Sequence, residues 1–152
     1  MRKRIILLAL FVTIFIIAAI FILSPKEKKR IKQDITSLKT AVAHKDINEA
    51  LQYISRDYND GHHNNFESFS YSIQQLIDNF DSINIIMTGM KISIDSVNSA
   101  KTVFAACSMG LKIFARYERE KTLVFGGIVK PASVKMYLKK INSNYQIYHA
   151  QY

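Results

Sequence analysis

The chain opens on an apolar run: from Ile5 to Leu23, nineteen positions in a row, Thr13 is the only polar residue. As a helix rising ~1.5 Å per residue the run spans ~28 Å, close to the hydrocarbon thickness of a bilayer. A signal peptide has a shorter apolar region and ends on small residues. Here the exit reads Ile22-Leu23-Ser24-Pro25, so the run reads as an uncleaved anchor rather than a leader or a core helix. No cysteine follows it that could carry a lipid. Residues 1–24 are therefore expected to form an anchor and residues 25–152 a separate domain.

Behind the anchor the period of the apolar positions is helical. Ser24-Pro25-Lys26-Glu27 has the form of a capping box with proline at the first helical position. Ile31, Ile35, Leu38 and Val42 then lie on one stripe, an amphipathic helix ending near His44. Asp46 with Glu49 repeats the cap, and Ile47, Ala50, Leu51 and Ile54 form a short second stripe. Asn64 with Glu67 starts a third helix, in which Phe66, Phe69, Ile73, Leu76, Ile77 and Phe80 share a face. After Asp81 the period becomes two. Ile83, Ile85 and Met87 alternate, Gly89 permits a bulge, and Met90, Ile92 and Ile94 resume. Val103 to Met109 alternate, continuing past Gly110 to Ala115. Val134, Met136 and Leu138 form a further strand, Asn142-Ser143-Asn144 turns the chain, and Tyr145, Ile147 and His149 close it on what reads as the inward face. Residues 121–133 are ambiguous, because Leu123-Val124-Phe125 looks extended while Gly126-Gly127 and Pro131 interrupt it. Helices first and an antiparallel meander afterwards make the class α+β.

Composition narrows the function classes. The 152 residues carry 21 Lys plus Arg against 12 Asp plus Glu, a net +9. Residues 1–32 hold net +7 of this and the remainder only +2, so no nucleic-acid face is expected on the folded part. Basic residues flank the apolar run on both sides, Arg2 to Arg4 before it and Lys26 to Lys32 after it, so charge barely sets its orientation, with a slight lean to a cytoplasmic domain. The later basic group also suits a helix turn solvated at anionic headgroups. A lone cysteine, Cys107, excludes a disulfide framework or a Cys-rich metal site, and no Gly-rich phosphate loop exists.

The stretch Lys45-Asp46-Ile47 leading to Tyr53-Ile54-Ser55-Arg56-Asp57-Tyr58-Asn59-Asp60 resembles a segment of small nuclear transport factor 2-like (SnoaL-like) bacterial domains. The long third helix, the Asn84-Ile85-Ile86 strand and the terminal aromatic-x-Ile strand fit as well, with Tyr145 standing at the usual Trp. The likeness covers about residues 28–152 apart from 111–133. It implies a cone of three helices packed on a curved antiparallel sheet, behind the N-terminal transmembrane helix, with a pocket at the open end. Membrane-anchored members with an exported domain are known as a type, which turns the orientation towards an extracytoplasmic, periplasmic domain.

Several polar residues are candidates for chemistry. Asp57, Asp60, His62 and His63 have ligand types that zinc accepts, although Asp-Gly-His-His-Asn-Asn is equally the composition of a solvated loop, so no metal is expected. Related ketosteroid-isomerase-like enzymes pair a pocket acid or base with a Tyr donor. Asp57, Tyr58 and His149 are the residues available for that role, and Tyr58, Tyr145 and His149 for lining a ligand pocket. Cys107 sits among small apolar residues, where cysteine behaves as a buried hydrophobe. The reading is a domain that binds a small apolar ligand or a protein partner, with no cofactor and a homodimer through the outer sheet face. The alternative is a tethered isomerase, dehydratase or cyclase.

Overall fold

The structure, a computed structural model, describes residues 25–98 and 102–152. The apolar run 5–23 lies outside the described residues; among these, no helix is long and apolar enough to cross a membrane. The first helix, α1, covers residues 25–43 and buries the stripe Ile31, Ile35 and Val42, as the periodicity predicts. It ends in a Schellman motif: the Asp46 N–H donates to Ala41 O at 2.9 Å and that of Lys45 to Val42 O at 3.1 Å, with Lys45 at φ 65°. Helix α2 is Ile47–Leu51, capped by Asp46. The third, α3, is Phe66–Asn79, and its cap is Asn65 with Ser68, one residue beyond the expected Asn64–Glu67 pair.

Six strands follow the expected alternation, with one addition. β1 is Ile54–Asp60, β2 Ser82–Val97, β3 Val103–Tyr117, β4 Glu120–Phe125, β5 Ala132–Ile141 and β6 Asn144–Gln151. They form one curved sheet in the order β1-β6-β5-β3-β2, with β4 paired to the far end of β3 where β5 leaves off. Strand β1 corrects two expectations. Ile54 opens a strand rather than closing the second helical stripe, and β1 runs parallel to β6, so the sheet is not wholly antiparallel. Seven residues between two helices carry too short a pattern to declare their partner, which lies about ninety positions away. The ambiguous region 121–133 resolves into most of β4, a loop and the first two residues of β5.

Bulges decide which residues face the helices. At Gly89, with φ 62°, the β2–β3 register shifts, so Met87 and Met90 share the inner face. Gly110 lets Pro131 approach: a Cβ there would lie 2.9 Å from the proline ring. In β6 the register shifts between the pairs Tyr137–His149 and Leu138–Ile147. Tyr148 is the extra residue. Ile147 therefore points inward, Tyr148 and His149 outward, and Ala150 inward again.

Two groups of buried side chains meet between helices and sheet. One gathers Ile31, Ile35, Cys107, Leu138 and Tyr145 around the first half of α1. The other gathers Ala41, Val42, Ile73, Ile77, Ile83 and Ile85 around its C-terminal end and α3. The chain thus enters its described domain at one end of the sheet, and α1 runs to the other.

Candidate functional site

Between α1, α3 and the inner face of the sheet lies a cavity of about 390 Å³. Its walls come from positions that periodicity had assigned to the core: Ile35, Leu38 and Val42 from α1, Phe69 and Ile73 from α3, and Met87, Met109 and Met136 from the sheet. The size falls among small-molecule sites. Three lining residues, Ser72, Val124 and Tyr152, are exposed and mark the mouth, and Lys39 on the wall is half-buried. Lys39 makes no ion pair among the described residues.

Tyr58 is a buried residue of the cavity wall. It projects from β1 at 3% exposure and lines the cavity, its ring stacked on Phe69 at 4.7 Å between centroids. Its hydroxyl is buried and has no hydrogen-bond partner, which leaves a desolvated donor at a cost of about 1–3 kcal/mol. Burial, helped by the negative charge of Asp60, pushes the phenol above its ordinary pKa, so it stays a neutral donor.

Asp60, buried two residues further on, is a structural pin. Its Oδ1 accepts the backbone N–H of His62 at 2.8 Å and of Asn64 at 2.9 Å. Its Oδ2 accepts the Asn64 side-chain amide at 2.8 Å and the Tyr152 hydroxyl at 2.9 Å. Burial alone would raise its pKa, yet these bonds outweigh it and bring the carboxyl down to about 2. A carboxylate so engaged is a weak base with no free lone pair for a substrate proton. It orders the loop before α3 and holds Tyr152 at the mouth.

Tyr145, expected in the pocket, belongs instead to a polar clamp at the other end. Its hydroxyl donates to Glu27 Oε2 at 2.6 Å and its N–H to Asp34 Oδ2 at 2.8 Å. Lys140 also reaches Glu27, at 2.8 Å. Burial opposes ionisation of Glu27, but the bonds from Lys140 and Tyr145 overcome it and hold the carboxyl below its usual range. The clamp ties the start of α1 to the β5–β6 hairpin. Tyr145 does not line the cavity.

The remaining candidates point away from it. Asp57 is exposed on the outer face, paired with Lys139, whose bond holds its carboxyl below the usual range. His149 corrects the inward assignment: the β6 bulge turns it outward, where Nδ1 meets Asn59 Oδ1 at 2.7 Å and the ring packs near Tyr137 at 5.5 Å. His62 stacks on Tyr152 at 4.8 Å, and His63 is an exposed residue at φ 64°. Among the described residues no three His, Cys, Asp or Glu side chains converge as a metal set. Cys107 is fully buried, and burial pushes its thiol up to about 11. Of the residues singled out from sequence, Tyr58 alone enters the cavity. Lys39 and Tyr152 were missed. One is a charged residue beside an apolar helical stripe and the other follows the last strand, and neither pattern carries a local signal.

No family model matches the chain, and no curated protein matches it in sequence. Solved structures share the fold. Bd1075 from Bdellovibrio bacteriovorus superimposes with a TM-score of 0.63 at 11% identity over 82% of this chain and 40% of that one. The helical cell shape determining protein Pgp2 from Campylobacter jejuni, as its K307A mutant, gives 0.61 at 15% identity over 78% and 38%. This chain thus spans about two fifths of the length of either protein. A protein from Novosphingobium aromaticivorans assigned as a scytalone dehydratase gives 0.62 at 10% identity over 84% and 83%. At such identities the likeness is one of fold. The domain has the nuclear transport factor 2-like, SnoaL-like architecture that the segment before Asp60 resembles.

Proposed function

We propose that this chain is a membrane-anchored binding module, held in a bilayer by residues 5–23, whose domain takes a small apolar ligand into the cavity behind Tyr58. The observation that carries the reading is the cavity wall. Apart from Lys39, Asn64 and Ser72 it surrounds about 390 Å³ with aliphatic, aromatic and thioether side chains, and among the described residues neither a carboxylate nor an imidazole lines it. Such a wall favours an apolar body by roughly 25 cal/mol for each Å² removed from water. General acid–base chemistry needs a proton-transfer group within hydrogen-bond reach of the substrate. Asp57 and His149 lie on the outer face, and Asp60 has its oxygens engaged.

The anchor is supported by the length and composition of the apolar run, and an extracytoplasmic setting by the resemblance to exported anchored domains. A homodimer through the outer sheet face belongs to the same reading. The second reading, a tethered isomerase, dehydratase or cyclase, draws on the likeness to the protein assigned as a scytalone dehydratase.

Complementation of a strain deleted for the gene separates the two. Asp57→Asn and His149→Gln are expected to retain function, and Val134→Phe, which fills the cavity, to lose it. Loss of function in a well-folded Asp57 or His149 variant overturns the binding reading in favour of catalysis. The anchor is tested by carbonate and high-salt washing, after which the full-mass chain should stay with the membranes.

A further inference from the structure

We infer that the first turns of α1 and the facing part of β2 form a seat for the headgroup phosphate of an anionic phospholipid, taken from the bilayer that holds the apolar run. This goes beyond the cavity and rests on the anchor reading above. Lys28, Lys29 and Lys32 of α1 line a groove of about 320 Å³ whose other walls are Met90 and Ile92 of β2. All three lysines are exposed, and among the described residues none has a carboxylate partner. The acids nearest in sequence are already engaged. Glu27 is held by Lys140 and Tyr145, and Asp34 by Arg30 and the Tyr145 amide.

Within the chain this arrangement only costs stability. Lys28 and Lys32 are four residues apart on one helix, a spacing at which like charges repel. All three lysines stand near the start of α1, where cations oppose the helix dipole. Met90 and Ile92 offer the ammonium groups no charged acceptor. An anion set among the three removes the repulsion, and the position of the groove points to its source. Pro25 is two residues past Leu23, the end of the apolar run. Lys32 lies only ~11 Å further along the helix. Helical side chains lean towards the N-terminus, here towards the bilayer, which brings the three ammonium groups to the headgroup layer. A phosphate diester with its glycerol beside it also suits the apolar walls, which a free inorganic phosphate leaves unmatched.

The test uses the full chain in nanodiscs of phosphatidylcholine, alone or with one part in three of phosphatidylglycerol, and reads lysine acylation by peptide mass spectrometry. A phosphate seated against an ammonium shields it, so acylation of Lys28, Lys29 and Lys32 is expected to slow about fivefold on the anionic discs. Lys26, outside the groove but closer to the apolar run, should slow less. A smooth surface potential fades within about 8–10 Å and gives the reverse order. Lys32→Gln should restore faster acylation of Lys28 and Lys29 on the anionic discs, and Lys26→Gln should not. Slowing that is greatest at Lys26, or that is unchanged at Lys28 and Lys29 in Lys32→Gln, overturns the seat and leaves only a general attraction to anionic lipid. Equal slowing on plain phosphatidylcholine discs when inorganic phosphate is added overturns the lipid as the source. Equal rates on the two kinds of disc overturn the inference and leave the anchor intact, whereas a chain that does not enter the discs overturns the anchor reading itself.

Discussion

Two tyrosines, both almost fully buried, show how differently the ends of this domain are built. Tyr145, at 1% exposure, sits where α1 begins, and its hydroxyl and amide are bound by Glu27 and Asp34. Tyr58, at 3%, sits on the cavity wall, and its hydroxyl is bound by nothing. Around Tyr145 the space is filled by Ile31, Cys107 and Leu138, and the polar groups are paired across more than a hundred residues of sequence. Around Tyr58 the core residues wall a hollow. One end holds the fold together and the other leaves room, at the expense of an unmet donor.

The contrast can be broken most strongly by truncation. Leu138→Ala should cost about 2–5 kcal/mol, because it opens a void in packed surroundings, whereas Met87→Ala at the cavity wall should fall at or below the low end of that range. Denaturant unfolding of the full chain in detergent, followed by circular dichroism, compares the two. Equal losses would mean that the cavity wall is packed as tightly as the clamp end.

Asp60→Asn should cost about 1–3 kcal/mol at neutral pH, since the amide replaces an acceptor of four hydrogen bonds. It should also flatten the acid limb. The folded-state pKa of Asp60 is depressed from 3.8 to about 2, so its contribution is full above 3.8 and is lost as pH falls towards 2. Stability measured across that window should fall less steeply in the variant than in the parent chain.

The sharpest comparison uses one substitution twice. Tyr145→Phe should destabilise by about 1 kcal/mol, because it takes one of two donors from a part-buried Glu27 oxygen, while Tyr58→Phe should leave stability unchanged or raise it, because it removes an orphaned group. Thermal melts of the pair give opposite signs if the ends differ as described. The smallest effect is expected from Val134→Phe, which should raise the melting temperature by a few degrees, on the order of 2–4 °C, by filling empty space. A fall of that size would show that the site resists filling and that overpacking strain dominates.

What could be read along the chain was whatever is set by near neighbours. The stripes of α1 and α3, the caps at Asp46 and near Asn65, and the parity change at Gly89 follow from hydrogen bonds and side-chain periods within a few residues. The resemblance before Asp60 carried the architecture as well. Tyr58 was legible as a pocket candidate because it lies in that segment. The chain itself could not declare that β1 pairs with β6, that the bulge at Tyr148 turns His149 outward, or that Asp34 reaches Tyr145. Nor could it declare that Ile35, Met87 and Met109, apolar and periodic like any core residue, face an empty volume with Lys39 on its wall. Periodicity shows which side of an element avoids water. Whether that side meets another side chain or a hollow depends on how far apart distant elements are held, and only the tertiary structure decides that distance.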